Sequence, residues 1–312
     1  MRLKSRVAGL RVSPIVSALA MAAALATLII IAPPGTLAQK SPPATGKLAQ
    51  PTTDRIVSLG GDATEILYAL GLSDRIVAVD TTSVEPPRAL KEKPNVGYMR
   101  QLSAEGVLAT GATVIVANAQ AGPPEVVNAL KSANLKYLAL PGSESPHSVA
   151  EKVQMIGKAF GKEAEAQKLA AEIEAGLKLV AEKRASIKKP IKAIFILGTN
   201  NGRATVAGTM TSADTMIQLA GAVNAASQLK GYKPLTDEAL LGLAPDVVIT
   251  MTRHGAADNR QLIGSLPGFK QTPAGKTDRL VEMEGNYLLG FGPRTHKAAL
   301  ELMTKLYPEL GK

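Results

Sequence analysis

The sequence predicts an α/β protein of two Rossmann-like lobes with parallel-type sheets, joined by one long α-helix, with a ligand cleft between the lobes. Three features predict it. Short β-branched runs alternate with amphipathic helical segments in two separate blocks, the pattern of a helix-covered, mostly parallel sheet. Residues 148–187, rich in Ala, Glu, Lys and Leu, read as helix and separate the blocks. A stretch of the first block then recurs in the second.

The 312-residue chain exceeds what one core usually serves, about 250–300 residues. Its 46% hydrophobic and 20% charged residues suit packed cores rather than disorder. At the start, Arg2, Lys4, Arg6 and Arg11 precede the apolar run Val12 to Ala32, with Pro33, Pro34 and Gly35 after it. These are the basic and apolar regions of an export signal, and cleavage is expected after Ala38. The run also approaches the length of about 20 residues that spans a bilayer, so a permanent anchor is the other reading. There are no cysteines, hence no disulfide framework, thiolate metal site or lipid-bearing N-terminal cysteine. Removing residues 1–38 lowers the net charge from +10 to +6, so much of the basicity belongs to the signal. No basic stretch is interleaved with aromatics, and a nucleic-acid partner is not expected.

Residues 39–53, rich in Pro, Thr and Ala, read as a flexible lead-in. The first lobe, 54–161, begins with a strand at Ile56 to Leu59, then Gly60-Gly61 and a helix from Ala63 to Leu70 that Asp62 caps and Gly71 stops. Strands follow at Arg75 to Val79, Thr113 to Ala117 and Tyr137 to Leu140, with helices at Ala104 to Ala109 and Pro124 to Ala133. Helix Ser148 to Phe160 ends at Gly161, and the connecting segment 162–189 holds the helix Lys162 to Ile187. A helix transmits orientation where a Gly/Ser linker would let the lobes tumble. The second lobe, 190–312, reads as strands at Ala193 to Leu197, Asp246 to Met251 and Arg279 to Met283. Its helices are Ser212 to Ala220, Asp237 to Leu243 and Thr295 to Tyr307.

The recurring stretch is LSAEGVLATGATVIV from Leu102 and LTDEALLGLAPDVVI from Leu235, aligned without a gap at an offset of 133 residues. Each opens with a Ser or Thr cap and places a glutamate, Glu105 or Glu238, in the first helical turn. Macrodipole stabilisation by first-turn acids explains them one way. Two matching carboxylates offered to a two-fold symmetric partner explain them another.

Enzyme signatures are scarce: the chain has no G-x-S-x-G elbow, phosphate loop or H-E-x-x-H. Its histidines, His147, His254 and His296, are far apart in sequence, so a zinc-type site would need assembly from separate elements. The densest stretch is GYMRQLSAEG, Gly97 to Gly106. In an extended segment Tyr98 and Arg100 reach the same side. A phenol beside a guanidinium suits an anionic ligand, and a phenolate suits ferric iron, with a neighbouring cation favouring its charged form. Spacing alone also fits a ring packed on the core with its hydroxyl in water.

GYMRQLSAEGVLATGATVIV, AGPP at Ala121, TSAD at Thr211, LAGAVNA at Leu219, YKPLTDEAL at Tyr232, LPG at Leu266 and LLGFGPR at Leu288 together resemble the substrate-binding protein of bacterial haemin ABC importers. The resemblance runs from about residue 54 to 310. It implies a monomeric periplasmic protein that catalyses nothing, binds ferric haem in the cleft and delivers it to an inner-membrane permease with its ATPase for iron acquisition. An outer-membrane haem receptor would lie upstream. By the same resemblance Tyr98 is the axial iron ligand, Arg100 supports it, and Arg253 meets haem from the second lobe. Glu105 and Glu238 would pair with permease arginines. Some relatives that stack two haems carry a histidine in the loop after the first second-lobe strand; here Gly198 to Gly202 reads GTNNG and has none. Cobalamin or a ferric siderophore is the alternative cargo, and a periplasmic metal-dependent hydrolase built on the three histidines is the alternative class.

Overall fold

A computed structural model describes residues 54–143, 145–252 and 258–311. The first block folds as β1 (Ile56–Leu59), α1 (Gly61–Ala69), β2 (Ile76–Val79), α2 (Ala89–Glu92), α3 (Ala104–Leu108), β3 (Val114–Ala117), α4 (Pro124–Ser132) and β4 (Lys136–Ala139). The strands lie in the order β2-β1-β3-β4, all parallel, with Ile56 opposite Val114 and Leu59 opposite Ala117. Every residue of β1 and β3 is buried, as expected of strands covered on both faces.

Next come α5 (Ser148–Phe160) and the 23-residue α6 (Glu163–Ala185). Gly161, at φ 67°, caps α5 in the left-handed region where a side chain is strained. Two other glycines set how closely helices cross. A Cβ on Gly157 would lie 2.3 Å from the Cβ of Ala166, and one on Gly176 would lie 2.3 Å from the His296 ring.

The second block folds as β5 (Lys192–Asn200), β6 (Arg203–Ala207), α7 (Ser212–Leu219), β7 (Val223–Asn224), β8 (Tyr232–Leu235), α8 (Asp237–Leu243), β9 (Val247–Thr252), α9 (Asn259–Gly264), α10 (Pro267–Gln271), α11 (Pro273–Lys276), β10 (Leu280–Glu284), α12 (Gly285–Leu289) and α13 (Thr295–Leu306). Its sheet runs β10-β9-β5-β6-β8, with β7 also on β5. Strands β10, β9 and β7 are parallel to their neighbours, whereas β5-β6 and β6-β8 are antiparallel.

The second sheet is therefore mixed, a parallel body of β10, β9, β5 and β7 to which β6 and β8 add antiparallel. GTNNG is not a loop after a short strand. Strand β5 continues to Asn200, turns at Asn201 and Gly202 (φ 49° and 71°), and returns as β6. Asn-Gly with both residues at positive φ is the two-residue hairpin turn whose twist matches antiparallel strands. Strand β8 carries Pro234, which a sheet tolerates at an edge because no ladder donor is needed there.

Side chains along the central strands alternate between cores. Ile56, Val114, Phe195 and Val247 join a large cluster with α5, α6 and α13, shared by both sheets. Val57 and Ile115 face a first-lobe cluster with Val107 and Leu130, while Ile194 and Val248 face a second-lobe cluster with Leu240 and Phe269. Each lobe therefore has a private core on one face and a common core on the other.

Candidate functional site: a cleft between the lobes

A cleft of about 740 Å³ is lined from the first lobe by Thr82, Tyr98, Met99, Arg100, Asn118 and Gln120, and from the second by Met210, Thr211, Tyr232, Met251, Thr252 and Asn286, among others. That volume lies within the range of small-molecule and cofactor pockets, about 300–1,000 Å³.

Tyr98 follows Gly97, whose φ of 92° turns the chain, and whose carbonyl accepts from the Thr81 N–H at 3.0 Å. The turn after it is held by Gln101 N–H to the Tyr98 carbonyl and by Gly122 N–H to the Met99 carbonyl. So anchored, the tyrosine stays 36% exposed on the cleft wall. Arg100 donates from Nη1 to the Tyr98 hydroxyl oxygen at 2.6 Å and from Nη2 to Gln120 Oε1. Its guanidinium carbon lies 5.8 Å from the centre of the tyrosine ring. The two residues are thus in direct contact, across a turn and not along the extended segment expected of them.

Behind them runs a chain of fixed polar groups. Gln120 N–H donates to Asn118 Oδ1, and Asn118 Nδ2 donates to Asp62 Oδ2 at 2.9 Å. Lys152, fully buried, donates to the same Asp62 oxygen at 2.7 Å, to Ser143 Oγ and to the Phe291 carbonyl, both at 3.3 Å. A buried ammonium and carboxylate need such complete pairing to be tolerated. Because Phe291 belongs to the second block, the chain ends on the other lobe.

Two more links cross between lobes. Asn286 Nδ2 donates to the Thr82 carbonyl at 3.1 Å at the cleft. Arg294 forms a forked pair with Glu65 at 2.9 and 3.2 Å and lies 3.8 Å from Glu85. Burial pushes the Glu65 carboxyl above its ordinary value despite that partner. Burial also raises Asp80, which accepts from the backbone N–H of Gly60 and Thr82 and so shapes the turn leading to the cleft.

The second lobe contributes residues that the sequence reading did not single out. Tyr232, 39% exposed, lines the cleft and follows Gly231 at φ 68°. The signal was present: allowing one residue of slippage, the internal repeat extends back to Gly97-Tyr98 and Gly231-Tyr232. Met210, at φ 61° and 64% exposed, also lines the cleft. A bulky residue in the left-handed region costs energy and is held there by its surroundings, a pattern that clusters at ligand sites.

Arg253 and His254 lie outside the described residues; in sequence they follow Thr252, which lines the cleft. Residues 1–53, with the expected signal and lead-in, lie outside them too. Glu105 and Glu238 are exposed in the first turns of α3 and α8, and neither lines the cleft. The caps expected for these helices are made: Ser103 Oγ accepts from Gly106 N–H and Thr236 Oγ1 from Ala239 N–H. Backbone and Thr236 hydrogen bonds hold the Glu238 carboxyl below its ordinary value.

His147 is exposed and pairs with Glu174 at 3.2 Å, whereas His296 is buried against Gly176. Among the described residues no group of three His, Cys, Asp or Glu could hold a metal ion. Among the same residues no helix is long and apolar enough to cross a membrane.

Residues 56–287 match the model of the periplasmic binding protein family. The periplasmic haem-binding protein RhuT of Roseiflexus sp. RS-1, solved in its apo form, is 34% identical with a TM-score of 0.76, over 83% of this chain and 99% of that one. Haem-binding BhuT, solved with two haems, is 34% identical with a TM-score of 0.76, over 82% and 99%. The ABC transporter substrate-binding lipoprotein YvrC of Bacillus subtilis is 30% identical over 263 residues, 83% of this chain and 81% of the relative. A vitamin B12-binding protein of Vibrio parahaemolyticus matches at 23% over 257 residues, 82% of this chain and 90% of the relative. With two α/β lobes, a cleft between them and these matches, the chain belongs to the periplasmic binding protein family, the solute-binding components of ABC transporters.

Proposed function

We propose that this protein captures ferric haem in its cleft, with the Tyr98 phenolate as iron ligand, and delivers it to an inner-membrane permease and its ATPase for iron acquisition. The observation that carries the reading is the Tyr98–Arg100 pair on the cleft wall, joined at 2.6 Å. Ferric iron is hard and takes an anionic oxygen, and a cation already donating to that oxygen favours its charged form. The haem-binding proteins of similar fold support the cargo. Tyr232 and Met210 on the facing wall supply an aromatic ring and a polarisable thioether suited to the faces of a flat macrocycle. Arg253, next in sequence after Thr252, contributes a cation to the ligand. Residues 1–38 direct export and are removed near Ala38, leaving a monomer in the periplasm. Glu105 and Glu238 engage cations on the permease.

Titrating the mature chain with ferric haem tests this reading. A saturable Soret band with a tyrosinate charge-transfer signature is expected, and Tyr98→Ala abolishes that signature. Arg100→Ala keeps the ligand type and weakens binding about 10-fold or more, as loss of a partner to a metal ligand does. Saturable binding of cyanocobalamin with no response to haem would replace the cargo by cobalamin, which the B12-binding relative supports as the second reading.

A further inference from the structure

The internal repeat carries more than its two glutamates. On α3 and its cap the residues Glu105-Gly106-Val107-Leu108-Ala109 correspond, position for position, to Glu238-Ala239-Leu240-Leu241-Gly242 on α8. In both, the middle residue, Val107 or Leu240, is buried and ties the helix to its lobe's private core. The other four positions are exposed in both lobes. Leu108 is 42% exposed and Leu241 is 38% exposed, among the few large hydrophobic side chains left open to solvent in the described residues. Residues three apart on a helix share a face, so each leucine stands beside its glutamate.

A single exposed leucine is ordinary. Two at equivalent positions of a repeat, each beside an exposed carboxylate and with only glycine or alanine at the other exposed positions of the stretch, are a pattern. We infer that each lobe presents a composite docking patch, a carboxylate beside a leucine on a floor of small residues. Its partner is a two-fold symmetric permease whose halves each offer a cation next to an apolar socket. The inference rests on the docking role proposed for Glu105 and Glu238 and adds the contact that holds the complex once charge has brought it together. Complementary charge acts mainly on encounter and register, whereas a leucine removed from water contributes affinity. The floor has room for close approach: a Cβ on Gly242 would meet nothing within 4 Å, and one on Gly106 only the Ser103 side chain at 3.6 Å.

The experiment uses the cognate permease–ATPase complex in lipid nanodiscs, with haem-stimulated ATP hydrolysis read against the concentration of loaded protein. L108A/L241A and E105Q/E238Q are compared with the parent, after haem titration and thermal melting establish that each is folded and loaded. L108A/L241A is expected to raise the half-saturating concentration at least about tenfold, with little dependence on salt. The glutamate double variant is expected to lose most of its defect at high salt, where the parent's charge attraction is screened. Parent-like half-saturation of the leucine variant overturns the inference while leaving the glutamates in place if E105Q/E238Q is impaired. Parent-like behaviour of both variants removes the docking reading as well. Self-association of the parent in sedimentation equilibrium, abolished by L108A/L241A, also overturns it, because the patch would then serve a second copy of this chain. Failure to bind haem leaves docking testable with whichever ligand loads the protein, so cargo and docking fall separately.

Discussion

Each lobe opens its first helix with a buried aspartate, and the two are satisfied differently. In the first lobe Asp62 is not the cap expected of α1 but lies inside its first turn, its carboxylate taken by the Lys152 ammonium at 2.7 Å and the Asn118 amide at 2.9 Å. In the second, Asp214 on α7 takes neutral side-chain donors among the described residues, Asn224 Nδ2 and Gln218 Nε2, each at 2.9 Å. The first arrangement reaches beyond its lobe, because Lys152 also donates to the Phe291 carbonyl. The second closes on itself, Asn224 donating besides to the Ala207 carbonyl and accepting from Ala226 N–H. The charged network therefore sits where the lobes are tied and where the tyrosine segment is braced. The neutral one fastens a helix to its own sheet.

The comparison is most readily broken at Lys152. Lys152→Met strands the Asp62 carboxylate in the core and is expected to cost about 3–5 kcal/mol in urea unfolding. The double variant Asp62→Asn/Lys152→Met should recover much of that loss, since removing both charges leaves no orphan. If the single variant unfolds like the parent, the charged network carries no tie between lobes. Asn224→Ala should cost less, about 1–3 kcal/mol, because it leaves hydrogen-bonding groups unpaired but no ammonium missing. A cost equal to that of Lys152→Met would erase the distinction.

Met210→Gly sharpens the contrast between the cleft walls. Glycine accepts φ 61° without strain but loses more entropy on folding, so stability is expected to stay within about 1 kcal/mol of the parent. If the cargo is the haem proposed above, its affinity, measured by Soret titration, should fall with the loss of the thioether from the cleft wall. The smallest effect belongs to His296, whose imidazole is held below its ordinary value chiefly by burial, and next by the Lys297 charge. Below about pH 6.5 the unfolded chain takes up a proton that the folded chain resists, so stability declines as pH falls through that window and is flat above it. His296→Gln should flatten the fall in melting temperature between pH 7.5 and 5 by about 2 °C.

Much of this architecture was legible along the chain. Strands β1, β3 and β9 announce themselves by β-branched runs, Gly161 marks the break between α5 and α6, and Ser103 and Thr236 cap the helices expected of them. The ungapped repeat likewise foretold that α3-β3 and α8-β9 would be built alike. Tyr98 and Arg100 do meet, but for a different reason from the alternation of an extended segment: residues 98–101 form a turn, closed by Gln101 N–H on the Tyr98 carbonyl, that brings the guanidinium back to the phenol. The hairpin β5-β6 was missed although Asn201-Gly202 signals it, since Gly198 and the polar Thr-Asn-Asn run mask the strand ends.

Sequence by itself determined the local periods, the caps of α3 and α8 and the repeat, because hydrophobic spacing and N-terminal hydrogen bonds act within a few residues. Only the tertiary structure decided that β6 and β8 join antiparallel to a parallel sheet and bring Tyr232 to the cleft that Tyr98 lines from the other lobe. It alone decided that Lys152 crosses 90 positions to Asp62 and 139 to Phe291. Such partners are chosen by which buried charge still lacks a counter-charge once the cores have closed, and no spacing along the chain records that.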